Sequence, residues 1–162
     1  MAALSRNINT RINLSEIDLF DCPLPQNGRM SIFWLHDVPK VLARVLGVMK
    51  HAGYGPVDRF AVGVALEEAA SNALKHGHDH DPRKQVRIWW TVTAVAVRLV
   101  VEDEGRGFDP ADISNPYLPE NLERPGGRGL FRMFTSMTSV RFNQRGNCVV
   151  MYRQRSQGSL TH

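Results

Sequence analysis

The sequence predicts an α+β sandwich with one layer of helices on one sheet. Three observations predict it. Asp37 to about His51 and Pro56 to about His76 repeat apolar residues at helical spacing. Gln85 to Thr93 alternates with a period of two, as a strand with one buried face must. The elements then run in the order helices, two strands, loop, helix, two strands.

Pro23, Pro25 and Gly28 break any long element in residues 1 to 29, which read as an extension. Met30 to Trp34 is a short apolar run and reads as a strand. Asp37 offers an N-cap and Pro39 suits the first turn of the helix that follows. Val38, Val41, Leu42, Val45, Leu46 and Met49 form its apolar stripe, and Ala52-Gly53-Tyr54-Gly55 ends it. In the second helix Val62, Leu66, Ala69 and Ala73 fall in one narrow core-facing sector. Gly77 to Pro82 is a polar loop. Val86, Ile88, Trp90 and Val92 share one side of the next strand, and Val95 to Glu102 forms its partner. The Thr93-Ala94 turn between them lacks the Asn-Gly or Asp-Gly chemistry of tight hairpins. Gly105 to Gly129 is a loop of a length usually reserved for function. Leu130 to about Met137 reads as a short helix. Val140 to Asn143 and Cys148 to Arg153 read as a hairpin around Arg145-Gly146, and residues 156–162 as a frayed tail.

A chain of 162 residues supports one sizeable core, burying roughly 70% of its unfolded surface, and a single domain over residues 30–155 uses nearly all of it. Apolar residues at 43% and charged residues at 22% exclude the disordered class. No apolar run approaches the ~18 residues of a membrane span, and Met1 to Asn13 has no apolar signal region. Cys22 and Cys148 alone build neither a disulfide framework nor a zinc site, so the composition fits a cytoplasmic protein. The formal charge of +4 is scattered rather than striped, which argues against direct nucleic-acid binding. Its densest group, Arg141, Arg145, Arg153 and Arg155, reads as solvated basic surface or as an attractor for an acidic or phosphorylated partner.

Three polar clusters carry the chemistry. Glu68 and Asn72 lie four residues apart, hence about 40° apart on one helix face, while Glu67 points elsewhere. A carboxylate there can accept a hydroxyl proton or orient water, and an amide oxygen can ligate Mg²⁺. Asp103-Glu104-Gly105-Arg106-Gly107-Phe108 ends a strand with a carboxylate able to accept from a purine amino group, and its glycines permit close backbone approach. Gly126-Gly127-Arg128-Gly129 opens a helix whose first N–H groups and dipole favour phosphate, with Arg128 as a charge-assisted neighbour. Singly, each also reads as an ordinary helix face, turn or helix start.

In this order the clusters resemble the N, G1 and G2 boxes of the GHKL ATP-binding superfamily, which includes gyrase and the histidine kinases. Glu67 to Gly77, Asp103 to Pro110 and Pro119 to Phe131 look like its anti-sigma-factor serine/threonine kinase branch. The resemblance, covering about Met30 to Arg153, implies a Bergerat-type two-layer sandwich with helices on one face of a mixed, mostly antiparallel sheet. It implies ATP and Mg²⁺ as cofactors. It makes Glu68 the catalytic base, Asn72 the metal ligand and Asp103 the adenine contact. Gly105 and Gly107 would form the G1 turn, Gly127 and Gly129 the phosphate-facing backbone, with His76 and Arg128 as phosphate neighbours. The loop from Asp109 to Gly126 would be a short ATP lid. The partners implied are an anti-anti-sigma protein of the STAS type and a sigma factor, with the chain as a homodimer and no membrane contact.

Other patterns carry less. His76, His78 and His80 near Asp79 and Asp81 could suggest a metal site, but in a loop they read rather as a solvated polar turn. His36-Asp37-Val38-Pro39 lacks the two-helix hairpin that a phosphoacceptor histidine requires before Glu68. Trp34, Trp89 and Trp90 suit sheet packing. Three functions remain open: a kinase, a nucleotide-dependent anti-sigma binding module, and a switch kinase of another stress-signalling pathway. Glu68 favours phosphotransfer.

Overall fold

A computed structural model describes residues 28–77, 81–113, 117, 120 and 127–157. The apolar spacing at Val38, Val41, Val45 and Met49 produces helix α1, Val38–His51, with all four side chains buried. Helix α2, Pro56–Asn72, follows a turn closed by the Tyr54 N–H donating to the Met49 carbonyl. The expected stripe Val62, Leu66, Ala69 and Ala73 is buried, but so are Ala61, Ala65 and Ala70. The buried arc is wider than the sequence suggests because α2 packs against both α1 and the later helix α3, Gly127–Ser136. Alanines on that arc let three helices share one layer.

Strands β1 (Gly28–Ile32), β2 (Val86–Val92), β3 (Ala96–Glu102), β4 (Ser139–Phe142) and β5 (Cys148–Gln154) form one sheet in the order β1-β2-β3-β5-β4. Every pairing among them is antiparallel, where a mixed sheet was expected. Val86, Ile88, Trp90, Leu99, Val101 and Met151 of the sheet share one core with Leu66 of α2 and Met133 of α3. The architecture is the predicted α+β sandwich.

Three local expectations change. β1 lies two residues earlier than the apolar run, so Phe33 and Trp34 fall outside it, and Trp34 is 48% exposed rather than packed in the sheet. Asp37 precedes α1 but its carboxylate turns back, accepting from the Phe33 and Trp34 N–H groups at 3.3 and 3.2 Å and pairing with Lys40. The β2–β3 turn is organised by a threonine: Thr93 Oγ1 accepts from Val95 and Ala96 N–H. A hydroxyl thus replaces the glycine turn chemistry that the sequence lacks.

Two members of the basic C-terminal group, Arg153 and Arg155, are structural rather than solvated. Arg153 donates from Nε and Nη2 to Asp58 Oδ1 at 3.0 and 2.8 Å, and from Nη1 to the Ser136 carbonyl. Ser156 adds its N–H and hydroxyl to the same carboxylate. Arg155 lies 4.8 Å over the Tyr54 ring and bonds the Ala94 and Gly53 carbonyls. Burial alone would raise the Asp58 carboxyl; its bonds from Ser156 and Arg153 outweigh that and hold it below the ordinary carboxylate range.

Asp58→Ala is expected to cost about 3–5 kcal/mol in urea unfolding at neutral pH, because it strands a buried guanidinium. The side chains of Arg153 and Asp58 are only 18% and 4% exposed, so solvent screens the pair little. A depressed folded pKa makes the contribution complete above the unfolded value of ~3.9 and lost as pH falls through the folded one. The gap between wild type and variant should therefore shrink in acid.

Candidate functional site

The C-terminal end of α2 departs from α-helical geometry. Ala73–Gly77 forms a π-helical turn, a distortion frequent at functional sites. It delivers Gly77 against the end of β3. A Cβ on Gly77 would sit 2.1 Å from the Asp103 Cγ, and one on Gly105 would sit 2.5 Å from the Gly77 Cα. Two glycine backbones therefore close around one carboxyl group, and Asp103 Oδ1 accepts from the Gly105 N–H at 2.8 Å.

The loop after β3 is then locked to the β4–β5 turn. Gly107 has φ +76°, and a Cβ there would collide with the Arg145 carbonyl; Gly146 has φ +73° and meets the Phe108 carbonyl. The Phe108 N–H donates to the Arg145 carbonyl, and Arg145 Nη2 to the Gly105 carbonyl. Asn147 Nδ2 donates to the Asp103 carbonyl at 2.8 Å, and Asn143 holds Asn147 through reciprocal bonds. Asn147 escaped the sequence reading, and Gly146 entered it only as a hairpin turn; the signal was an Asn-x-x-x-Asn pair flanking Arg145-Gly146.

These contacts frame a cavity of about 510 Å³ between α2, α3, the loop after β3 and the end of the sheet. Its walls include Val101, Phe108, Leu130, Met133, Phe142 and Val149, with Phe108 and Phe142 packed edge to face at 5.1 Å. An apolar cleft with few convergent polar groups is the usual form of a small-molecule site. Of the candidate residues, Asn72, His76, Asp103, Gly107 and Gly127 line it. Gly105 stands behind Asp103. Glu68 and Gly129 meet beside Asn72: a Cβ on Gly129 would lie 2.7 Å from Glu68 Oε2 and 3.5 Å from Asn72 Nδ2. Glu67 is exposed where Glu68 is half-buried, as the helix phase predicts. Arg128 is exposed and outside the lining.

Helix α3 begins at Gly127, three residues earlier than expected, so Gly127, Arg128 and Gly129 form its first turn. Their N–H groups are the ones that an α-helix leaves without internal partners. Within the expected lid, Asp109 caps a 3₁₀ turn at Pro110–Asp112, and Asp112 and Ile113 reach the cavity. Residues 114–116, 118–119 and 121–126 of that segment lie outside the described residues, as do Cys22, His78, His80 and most of the 1–29 extension. The sequence reading also missed Arg132, whose Nη1 donates to Glu68 Oε1 at 2.8 Å.

Burial pushes the Asp103 carboxyl above its ordinary pKa, against the pull of the Gly105 N–H. Burial also drives the Cys148 thiol to about 12, so this cavity-lining cysteine is a packing group and not a nucleophile.

A sandwich of this topology, with the α2 acid and amide set against the first turn of α3 beside an apolar cleft, is that of a nucleotide-binding ATPase domain. The chain belongs to the histidine kinase-like ATPase domain family, which matches residues 35–153. Within that GHKL family its similarity runs to the anti-sigma-factor serine kinases. It is 31% identical to the serine-protein kinase RsbW of Bacillus subtilis over 124 residues, 72% of this chain and 77% of that one. It is 32% identical to the RsbW of Bacillus licheniformis over 101 residues, 59% of this chain and 63% of that relative, just under two thirds of its length. The RsbW of Staphylococcus aureus is 29% identical over 101 residues, 58% of this chain and 64% of that one.

A raised folded pKa means that the folded protein holds the Asp103 proton more readily than the unfolded chain. Its contribution to stability therefore declines as pH rises from the ordinary carboxylate range through the folded value. Asp103→Asn is expected to keep the Gly105 bond, remove that decline and hold or raise Tm at neutral pH. Thermal melts from about pH 4 to 8 measure it.

Proposed function

We propose that the protein is an ATP- and Mg²⁺-dependent protein serine/threonine kinase that acts as an anti-sigma factor. It phosphorylates a STAS-type anti-anti-sigma protein in the cytoplasm and so regulates transcription by partner switching. The observation that carries this reading is the meeting of Glu68, Asn72 and Gly129 at the first turn of α3, on the edge of a cavity that holds Asp103. The relatives' name, serine-protein kinase, agrees with it.

Asp103 accepts from the adenine amino group, and the apolar walls exclude water from the purine. Gly77 and Gly105 support the fit: their missing side chains leave the carboxyl aimed into the cavity with one oxygen committed to Gly105. The first turn of α3, through Gly127 and Gly129, donates N–H groups to phosphate, with His76 and Arg128 as polar neighbours. Asn72 supplies one oxygen to Mg²⁺. Among the described residues no group of three His, Cys, Asp or Glu is placed to hold a metal. Mg²⁺ usually keeps several waters and draws on substrate phosphates, so one protein oxygen is a usual contribution. Glu68 takes the proton of the substrate hydroxyl. A phosphoserine adds about −1.5 to −2 charges beside Glu68 and the nucleotide, so the modified substrate leaves. A sigma factor then occupies an overlapping surface of the dimer. A second reading, a module that senses nucleotide without transferring it, draws on the Arg132 pair that engages Glu68.

Glu68→Gln is expected not to weaken ATP binding and to lower serine labelling by roughly 10²–10⁴-fold, the usual scale for a general base. Glu67→Gln should do far less, and Asn72→Ala should weaken ATP binding chiefly when Mg²⁺ is present. Asp103→Asn should weaken ATP binding in calorimetry. In the wild type affinity should fall on acidification, because protonation removes the acceptor, and from a higher pH than an ordinary carboxylate would give. Candidate STAS proteins, unmodified and with a phosphoserine mimic, are titrated with ATP and ADP. Equal affinity for both forms, with no serine labelling of any, would remove the kinase reading.

A further inference from the structure

Glu68 does not stand free. Its Oε1 accepts from Arg132 Nη1 at 2.8 Å, while its Oε2 presses toward the Cα of Gly129. Gly129 and Arg132 are three residues apart on α3, so guanidinium and glycine share one helix face. The carboxylate is thus an internal anion lying over the first turn of α3 and held there by Arg132. The Arg132 side chain is 61% exposed against 21% for Glu68, and among the described residues it makes this one side-chain hydrogen bond of the five it can donate. An exposed ion pair contributes little to folding and breaks readily. A phosphate group carries more charge than a carboxylate and presents oxygens that a guanidinium engages in a bidentate way.

We infer that Arg132 is a triphosphate sensor: it exchanges its guanidinium between the Glu68 carboxylate and the terminal phosphate of a nucleoside triphosphate. The inference rests on the reading of the cavity as a nucleotide site with Glu68 as base. A triphosphate frees the base by taking away its partner, and a diphosphate, lacking the terminal group, leaves Glu68 held. Nucleotide discrimination and base release are then one event. Arg132 makes the protein prefer ATP over ADP, and Glu68 competes against that preference.

Calorimetry on the full chain with Mg²⁺ tests this, using a non-hydrolysable ATP analogue and ADP as probes. Arg132→Ala should lower the ratio of triphosphate to ADP affinity about 10-fold, the scale of a lost charged hydrogen bond. Glu68→Gln should raise triphosphate affinity about 3- to 10-fold, with ADP affinity unchanged, by releasing Arg132. Added to Arg132→Ala, Glu68→Gln should have no further effect, and Arg132→Lys should fall between wild type and alanine. If Arg132→Ala does not fold, Arg132→Lys completes the cycle. An unchanged affinity ratio in the Arg132 variants overturns the inference, as does a Glu68→Gln effect of equal size with and without Arg132. A purely structural ion pair would move Tm and leave the ratio alone. Wild type that binds the triphosphate selectively yet labels no protein substrate sinks the kinase reading and leaves the sensor standing. Active wild type whose ratio is insensitive to Arg132 does the reverse.

Discussion

Two glycine backbones wrapped around the Asp103 carboxyl are the constraint on which the site depends. Gly77 ends the π-helical turn of α2, Gly105 lies in the loop after β3, and neither tolerates a side chain in the space that Asp103 fills. This contact sets how far α2 runs over the sheet. It therefore sets where Glu68 and Asn72 stand relative to the cavity floor. It also explains the loss of α-helical geometry at Ala73: a continued α-helix would not bring the Gly77 backbone to the same place. The β4–β5 turn then closes the far side through Gly107 and Gly146, whose left-handed backbones fit each against the other's neighbour.

Two aspartates, Asp58 buried and Asp103 half-buried, show how differently one residue type is used. Asp58 is surrounded by donors from Arg153 and Ser156, so its negative charge holds α2, α3 and β5 together. Asp103 receives one side-chain bond, from Gly105, and otherwise faces apolar walls. The first carboxylate is satisfied by the fold and belongs to its stability. The second is left short of donors, and folding alone does not make it comfortable. That contrast, rather than burial itself, separates a structural acid from one prepared for a ligand.

The helical stripe of α1 and the alternation of β2 were legible because they repeat locally, and each repeat faces the same core. The three polar clusters were legible for a related reason: each is a short contiguous run that can be matched without knowing the fold. What the sequence hid was pairwise and distant. Arg153 and Arg155 look like surface charge until Asp58 and Tyr54 are seen beside them. Arg132 looks like one more exposed helix position until α3 is laid against Glu68, 64 residues earlier. Asn147 looks like a turn residue until it meets the Asp103 carbonyl, and Thr93 looks unremarkable until its hydroxyl bridges two backbone N–H groups. Asp37 misled in the opposite sense, since a good capping residue was captured by the chain before it.

The position of β5 has a consequence for how the molecule comes into being. It is the last of the described strands along the chain, yet it sits inside the sheet between β3 and β4, and Ser156 just beyond it completes the bonds on Asp58. During synthesis β1, β2 and β3 emerge first and can pair, but β3 keeps an open edge until β5 leaves the ribosome. At about 5–20 residues per second the roughly fifty residues after β3 take several seconds to appear. Over that interval an apolar strand edge is available to any other chain nearby. The vulnerability of the molecule to aggregation is concentrated in that brief window.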